Sequence, residues 1–339
     1  MSNLRERLKQ IQRLKKNDIK KEEKTAIDDS ALLKQGWKQC GYNVLKREIN
    51  LSSPLKKIKN MPEVLPLIIP DLSLYKTMPQ IRDFLFFDLE TTGLSGGAGT
   101  VAFLAAFGRV VNEKLQITQY LLLDYPGEND FLDLVLTELK TENAVIVSYN
   151  GKCFDSQIIK TRCLMNRIKP PCYKHADLLH PARRLWKTII MDCSQSSVET
   201  KILGLERIND IPGSLAPEIW FEFLKTNATE RLIGICDHNL SDIKGLALIL
   251  YVMIEIAKEP FKTNKYNYDL ERLARTVYVY AYKQMMIENY KEPLELINIA
   301  LKALEPGTLW YDKLMRRKKI IEKKIQNNLP RTTRTLTNP

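Results

Sequence analysis

The sequence predicts an α/β fold: a mixed sheet of three antiparallel strands followed by parallel strands, flanked by helices, with a C-terminal helical hairpin. Three observations predict it. β-type runs follow one another between 83 and 124, joined by connections too short for a crossover. Strand and helix patterns then alternate from 131 to 179. From Tyr268 onward the β signals disappear and apolar residues recur at helical spacing.

The elements follow in chain order. Residues 1–25 place Leu4, Leu8, Ile11 and Leu14 on one stripe among Lys and Arg, a basic amphipathic arm. Residues 26–80 read as a lead-in segment, broken by Pro54, Pro62, Pro66, Pro70 and Pro79. The central domain is expected over 81–258. It opens with a strand, Asp83 to Glu90, and a glycine-rich turn, Thr91 to Gly99. Thr100 to Val111 and Leu115 to Asp124 read as the next two strands. Phe131 to Lys140 is a helix, Ala144 to Asn150 a short buried strand, and Phe154 to Lys169 a helix. A strand at Ala176 to Leu179 and several helices up to Lys258 complete it. Residues 259–325 form a helical extension that resembles a single tetratricopeptide unit, with Leu270, Leu273, Val277 and Ala281 on one face. Residues 326–339 are a basic tail.

Composition excludes several classes. The chain has 339 residues, 44% hydrophobic and 27% charged, values of a globular protein rather than a disordered one. Its longest apolar run, Leu246 to Ile254, is nine residues. A bilayer-spanning helix needs about 20, so no membrane partner is expected. The basic N-terminal stretch has no apolar core of a secretory signal. The six cysteines form no C-x-x-C pair, and reduced thiols in the cytoplasm are the expectation. Cys172, His175 and His180 are too irregularly spaced to indicate zinc.

The formal net charge is +12. Residues 1–25 carry +5 and residues 313–339 carry +8, so the body between them is close to neutral. Such arms suit a polyanion, DNA or RNA, and equally a solvated surface. Arg183, Arg184 and Lys187 beside Trp186 could grip phosphate and stack a base, but Trp186 reads more naturally as a core anchor. The Ser95–Gly99 run lacks the Lys-Ser/Thr of a nucleotide-binding loop and reads as a wide turn.

The chemistry lies in the carboxylates. Asp88 and Glu90 stand two apart on the first predicted strand, so they share a face. Two like charges about 4 Å apart repel by roughly 4 kcal/mol at an effective dielectric of 20, and a hard divalent cation removes that cost. Asp155 falls in the first turn of the helix after the fourth strand, where capping is the simplest role. His238 and Asp242 are four apart at the start of the apolar helix and share a face.

Phe86-Phe-Asp-Leu-Glu-Thr-Thr-Gly-Leu94 resembles the first motif of the DEDD exonucleases, a branch of the ribonuclease H-like fold. Tyr149-Asn-Gly-Lys-Cys-Phe-Asp155 resembles their second motif, and His238 to Asp242 their third. Ser95 to Phe103, Ala176 to His180 and Leu203 to Gly213 are similar to the bacterial YprB-like group of ribonuclease H-like proteins. The resemblance implies a metal-dependent nuclease using two Mg²⁺ or Mn²⁺ ions, a 3′–5′ exonuclease on single-stranded DNA or RNA. Carried over, Asp88, Glu90 and Asp242 would hold one ion, and Asp88 with Asp155 the other. His238 would orient or deprotonate the water, and Thr92, Gly93 and Asn150 would hold the terminal nucleotide. One departure is that only three residues separate His238 from Asp242, the spacing seen where the family has tyrosine. Alternatives are a nucleic-acid-binding module without turnover, and a scaffold docking a protein partner through the C-terminal helices.

Overall fold

A computed structural model of the chain describes residues 29–328, apart from 76, 94–96, 98, 209 and 263–264. The basic arm of 1–25, the tail beyond 328 and three positions of the Ser95–Gly99 run lie outside the described residues.

Seven strands form one mixed sheet: β1 (Lys38–Gly41), β2 (Val44–Ser52), β3 (Phe84–Thr91), β4 (Ala102–Val111), β5 (Lys114–Leu122), β6 (Val145–Ser148) and β7 (Lys174–Asp177). Their spatial order is β1-β2-β5-β4-β3-β6-β7. The first five in that order are antiparallel neighbours, and β6 and β7 add in parallel to β3. This is the ribonuclease H-like arrangement, with the antiparallel part longer than expected. The additional strands come from the segment read as a lead-in, since β2 pairs with β5 at nine consecutive positions from Val44↔Leu122 to Ser52↔Lys114.

The helices are α1 (Ser30–Lys34), α2 (Leu65–Ile68), α3 (Glu128–Leu139), α4 (Asp155–Met165), α5 (Leu179–Trp186), α6 (Gln195–Leu203), α7 (Ala216–Thr226), α8 (Glu230–Lys258), α9 (Leu270–Met286), α10 (Lys291–Ala303) and α11 (Leu309–Asn328). Together they cover both faces of the sheet. β3 lies inside it, and its alternating side chains divide between two cores. Leu85, Phe87 and Leu89 pack with Phe107, Phe131 and Trp220. Phe84 and Phe86 pack on the opposite side with Ile243, Leu246 and Leu250 of α8. Asp88 and Glu90 continue that second side, so the same period of two that buries Phe84 and Phe86 aims both carboxylates toward α8.

α9, α10 and α11 pack on one another and join the body through α5 and α2. Trp186 of α5 is fully buried, and its indole N–H donates to the Tyr266 carbonyl at 3.1 Å, which assigns it to the core. Among the described residues no helix is long and apolar enough to cross a membrane.

Candidate active site

Three elements deliver the acids. Asp88 and Glu90 stand at the end of β3, where the register with β4 shifts between Glu90 and Thr91. Asp155 is the first residue of α4. Its position depends on the turn after β6, where Asn150 takes a left-handed φ of 67°. Asp177, at the end of β7, anchors this turn by accepting from the backbone N–H of Asn150 at 2.8 Å and of Lys152 at 3.1 Å. A side chain on Gly151 would lie 2.8 Å from Asp155 Oδ2 and 2.4 Å from Ser148 Oγ, so only glycine fits there. Asp242 projects from α8.

These acids crowd one another. Glu90 is 8% and Asp155 5% exposed. Burial raises the pKa of Asp88 well above its ordinary value, and Asp242, Asp155 and Glu90 push it further, while a hydrogen bond from Asn239 opposes the shift. Burial, Asp242, Asp155 and Asp210 raise Glu90 in the same way. Asp155 is pushed up to about 7 by burial, Asp177 and Asp242. Ligand atoms of Glu90, His238 and Asp242 all lie within 4.8 Å of one another. The four sequence-predicted carboxylates therefore share one electrostatic neighbourhood, and His238 borders it.

Further residues hold the cluster in place. Asn239 Nδ2 donates to Asp88 Oδ2 at 2.7 Å. Arg207 donates to Asp242 Oδ1 at 2.7 Å and to both oxygens of Glu199 at 2.8 Å. Burial opposes charge on Arg207, but its bonds to Glu199 and Asp242 outweigh that effect and hold its pKa above the ordinary value. His238 has a carboxylate at each ring nitrogen, Asp210 Oδ1 at 2.8 Å from Nδ1 and Asp242 Oδ2 at 3.3 Å from Nε2. Gly213 lets its backbone approach this ring closely, since a Cβ there would lie 2.9 Å from His238 Nε2.

Residue-type and spacing arguments missed Arg207, Asp210, Glu199 and Asn239. The first two lie within Leu203–Gly213, so the stretch was conspicuous while its roles were not. Beside the acids, Asp88, Asp242, Asn150 and Arg183 border a cleft of about 390 Å³. Thr92 and Gly93 lie in the turn after β3: the Thr92 hydroxyl accepts from Val101 N–H at 2.9 Å, and the Gly93 carbonyl accepts from Thr91 Oγ1 at 2.9 Å.

Residues 85–254 match the profile of the RNase_H superfamily. The chain belongs to this superfamily. Over 174 residues it is 40% identical to "Uncharacterized protein YprB" of Bacillus subtilis (strain 168), an alignment covering 50% of this chain and 41% of that protein. It is also similar to the family B DNA polymerase of the archaeon Pyrobaculum calidifontis, with 11% identity, a TM-score of 0.43, and coverage of 73% of this chain and 46% of that one. The chain thus spans less than half the length of either protein. Members of the RNase_H superfamily are generally nucleases, so nuclease chemistry is the activity the family suggests, and Glu90 of β3 with His238 and Asp242 of α8 form a group that could hold a metal ion.

Proposed function

We propose that the protein is a divalent-metal-dependent nuclease that removes nucleotides from the 3′ ends of single-stranded DNA or RNA. The observation carrying this reading is the mutual crowding of Asp88, Glu90, Asp155 and Asp242, two of which, Asp88 and Asp242, line a cleft. Packing buried like charges is costly, and a hard divalent cation offsets that cost. The donor set fits Mg²⁺ or Mn²⁺, with carboxylate oxygens throughout and one imidazole at the margin.

In this reading Asp88, Glu90 and Asp242 hold one ion, and Asp88 with Asp155 holds the second. When bound, the ions would supply a Lewis acid for the phosphate and favour deprotonation of water near neutral pH. The remaining steps belong to the protein's own groups. Asn239 orients Asp88 through Oδ2, and Arg207 holds Asp242 through Oδ1. Asp210 fixes the His238 ring through Nδ1, which aims Nε2 toward Glu90 and Asp242, where it can accept a proton from water. Asn150 and Arg183, which line the same cleft as Asp88 and Asp242, bind and orient the terminal nucleotide. The 3′–5′ polarity rests on the resemblance of Phe86–Leu94, Tyr149–Asp155 and His238–Asp242 to the DEDD exonucleases.

The test uses single-stranded DNA and RNA labelled at either end, incubated with Mn²⁺. The 5′-labelled strand is expected to shorten stepwise, and Asp88→Asn to abolish the ladder. Equal degradation by the wild type and Asp88→Asn would assign the activity to a contaminant.

A further inference from the structure

A second cleft, of about 520 Å³, lies between α9, the segment around Pro66 and Pro70, and α5. Its rim carries Arg184 from α5 and Arg272, Arg275 and Lys283 from α9, and none of its lining residues is acidic. Arg272 is engaged locally, donating to the Arg183 carbonyl at 3.1 Å and lying 3.7 Å from Asp269. Among the described residues, no salt bridge reaches Arg184, Arg275 or Lys283. Burial lowers the Arg184 pKa, Asp71 opposes that shift, and Arg275 adds a smaller lowering. Arg184 and Arg275, the latter 6.0 Å from the Trp310 ring, therefore line one cleft whose wall holds no acidic side chain.

The packing of α9 explains why this face is open. Leu273, Ala274, Val277 and Ala281 are buried in the core. Positions 272, 276, 279, 283 and 287 fall on a separate stripe that faces the cleft. That stripe mixes cations with apolar side chains, Val279 being 46% and Ile287 71% exposed. Leu67 and Pro70 form the apolar wall opposite.

The position of α5 indicates the occupant. Arg183 borders the cleft that contains Asp88 and Asp242, and its neighbour Arg184 borders this one. One helix thus supplies a guanidinium to each cleft, so a strand that reaches from one to the other meets cations at both. A single-stranded nucleic acid has a phosphate at every nucleotide and bases with apolar faces, which suits a groove that alternates cations with apolar surface. We infer that the cleft between α5 and α9 is a binding track for the single-stranded nucleic acid whose end occupies the site at β3. The choice of occupant rests on the nuclease reading, and the C-terminal helices then act as an extension of the substrate platform.

The experiment separates the two readings by measuring binding without cleavage. The full chain carrying Asp88→Asn, in EDTA, is titrated against 5′-fluorescein-labelled 20-nucleotide oligo-dT and oligo-U, with anisotropy as readout. Arg184→Gln, Arg275→Gln and Lys283→Gln are combined in one variant. Lys56→Gln, Lys57→Gln and Lys59→Gln form a control with equal charge loss on another exposed surface. Each phosphate contact contributes about 0.7 to the slope of log K against log salt for single strands, so the groove variant should lose about 2 from that slope. Between 50 and 200 mM salt, the parent's affinity should then fall about 20-fold more than the variant's. A conservative variant, Arg184→Lys with Arg275→Lys, should keep the parental slope, and matching thermal midpoints establish that all are folded.

A groove variant indistinguishable from the lysine control overturns the inference. Polyglutamate that binds the parent as tightly as the oligonucleotides, and loses affinity in the groove variant, replaces nucleic acid with an acidic peptide and also overturns it. A lowered slope in the groove variant sustains the track even if the wild type shows no Mn²⁺-dependent cleavage, and in that case only the nuclease reading falls.

Discussion

Replacing Glu90 with glutamine should make the metal-free protein more stable. A Glu90 ligand oxygen lies within 4.8 Å of its counterpart on Asp242. At that separation and an effective dielectric of 20, two unit charges repel by about 3.5 kcal/mol. Arg207, 2.7 Å from Asp242 Oδ1, cancels part of this, leaving a gain of about 2 kcal/mol for Glu90→Gln. The sign with pH follows from the raised carboxylates. Glu90 rises from its ordinary 4.5, and Asp155 from 3.8 to about 7. An acid with a raised folded pKa holds its proton longer in the native state than in the unfolded chain, so native stability falls as pH rises through that window. The advantage of Glu90→Gln should therefore be near zero at pH 3, where the carboxyl is protonated in both the folded and the unfolded chain, and should grow as pH rises above 4.5. Urea unfolding in EDTA, followed by tryptophan fluorescence, measures it directly. With Mn²⁺ at 100 times its dissociation constant the wild type gains about 2.7 kcal/mol, and a variant lacking one ligand gains less, so the order should reverse. Destabilisation by Glu90→Gln in EDTA at pH 8 would refute the claim that the cluster is electrostatically strained.

Arg207→Gln should destabilise by roughly 3–5 kcal/mol, because it strands Glu199, only 2% exposed, without its bidentate partner. Chemical denaturation in EDTA checks this, and combining it with Glu199→Gln should recover much of the loss. Trp186→Ala should cost about 3–5 kcal/mol by emptying a fully buried site and freeing the Tyr266 carbonyl. Limited proteolysis should then cut first between α8 and α9, and cutting elsewhere would argue that Trp186 does not hold the C-terminal helices to the body.

The strands β3 to β6 were legible as apolar or alternating runs bounded by turn residues, and β7, Lys-His-Ala-Asp, was read two positions late; all the observed ends fall within a few positions of those read from the sequence. β2 was not. Its pattern Val-Leu-Lys-Arg-Glu-Ile-Asn-Leu-Ser places Arg47 where an apolar residue belongs. Arg47 is nevertheless 7% exposed, held by Gln119 at 2.7 Å and stacked 4.9 Å from the Trp37 ring. Those partners come from the tertiary fold and leave no local periodic trace. The same distinction runs through the candidate site. Asp88 and Glu90 shared a face by strand geometry, and Asp155 and Asp242 were placed at helix starts by local pattern, but that the four belong to one site followed only from the motif resemblance. Arg207 and Asp210 act on residues 35 and 28 positions away, and no helix or strand period links such pairs. The cations of α9 were equally readable, but which of its faces stays open depends on how α10 and α11 pack.

The hairpin β1–β2 contributes to the site as well as to the sheet. Arg47 has only donors, so Gln119 must present Oε1 to it, at 2.7 and 3.1 Å from the two guanidinium nitrogens. The Gln119 amide nitrogen then points the other way and donates to Asn239 Oδ1 at 2.9 Å. Asn239 is thereby oriented to donate its own amide to Asp88 Oδ2. Each amide in the relay has one orientation, set by the one group that cannot reverse. Its last bond favours the ionised form of Asp88, opposing the burial and like charges that push the proton on. A carboxylate that must be ionised to bind a cation, yet sits among other carboxylates, needs such a donor from a rigid source. Arg47, buried between β5, Trp37 and Asp237, supplies that rigidity from a strand at the far side of the sheet.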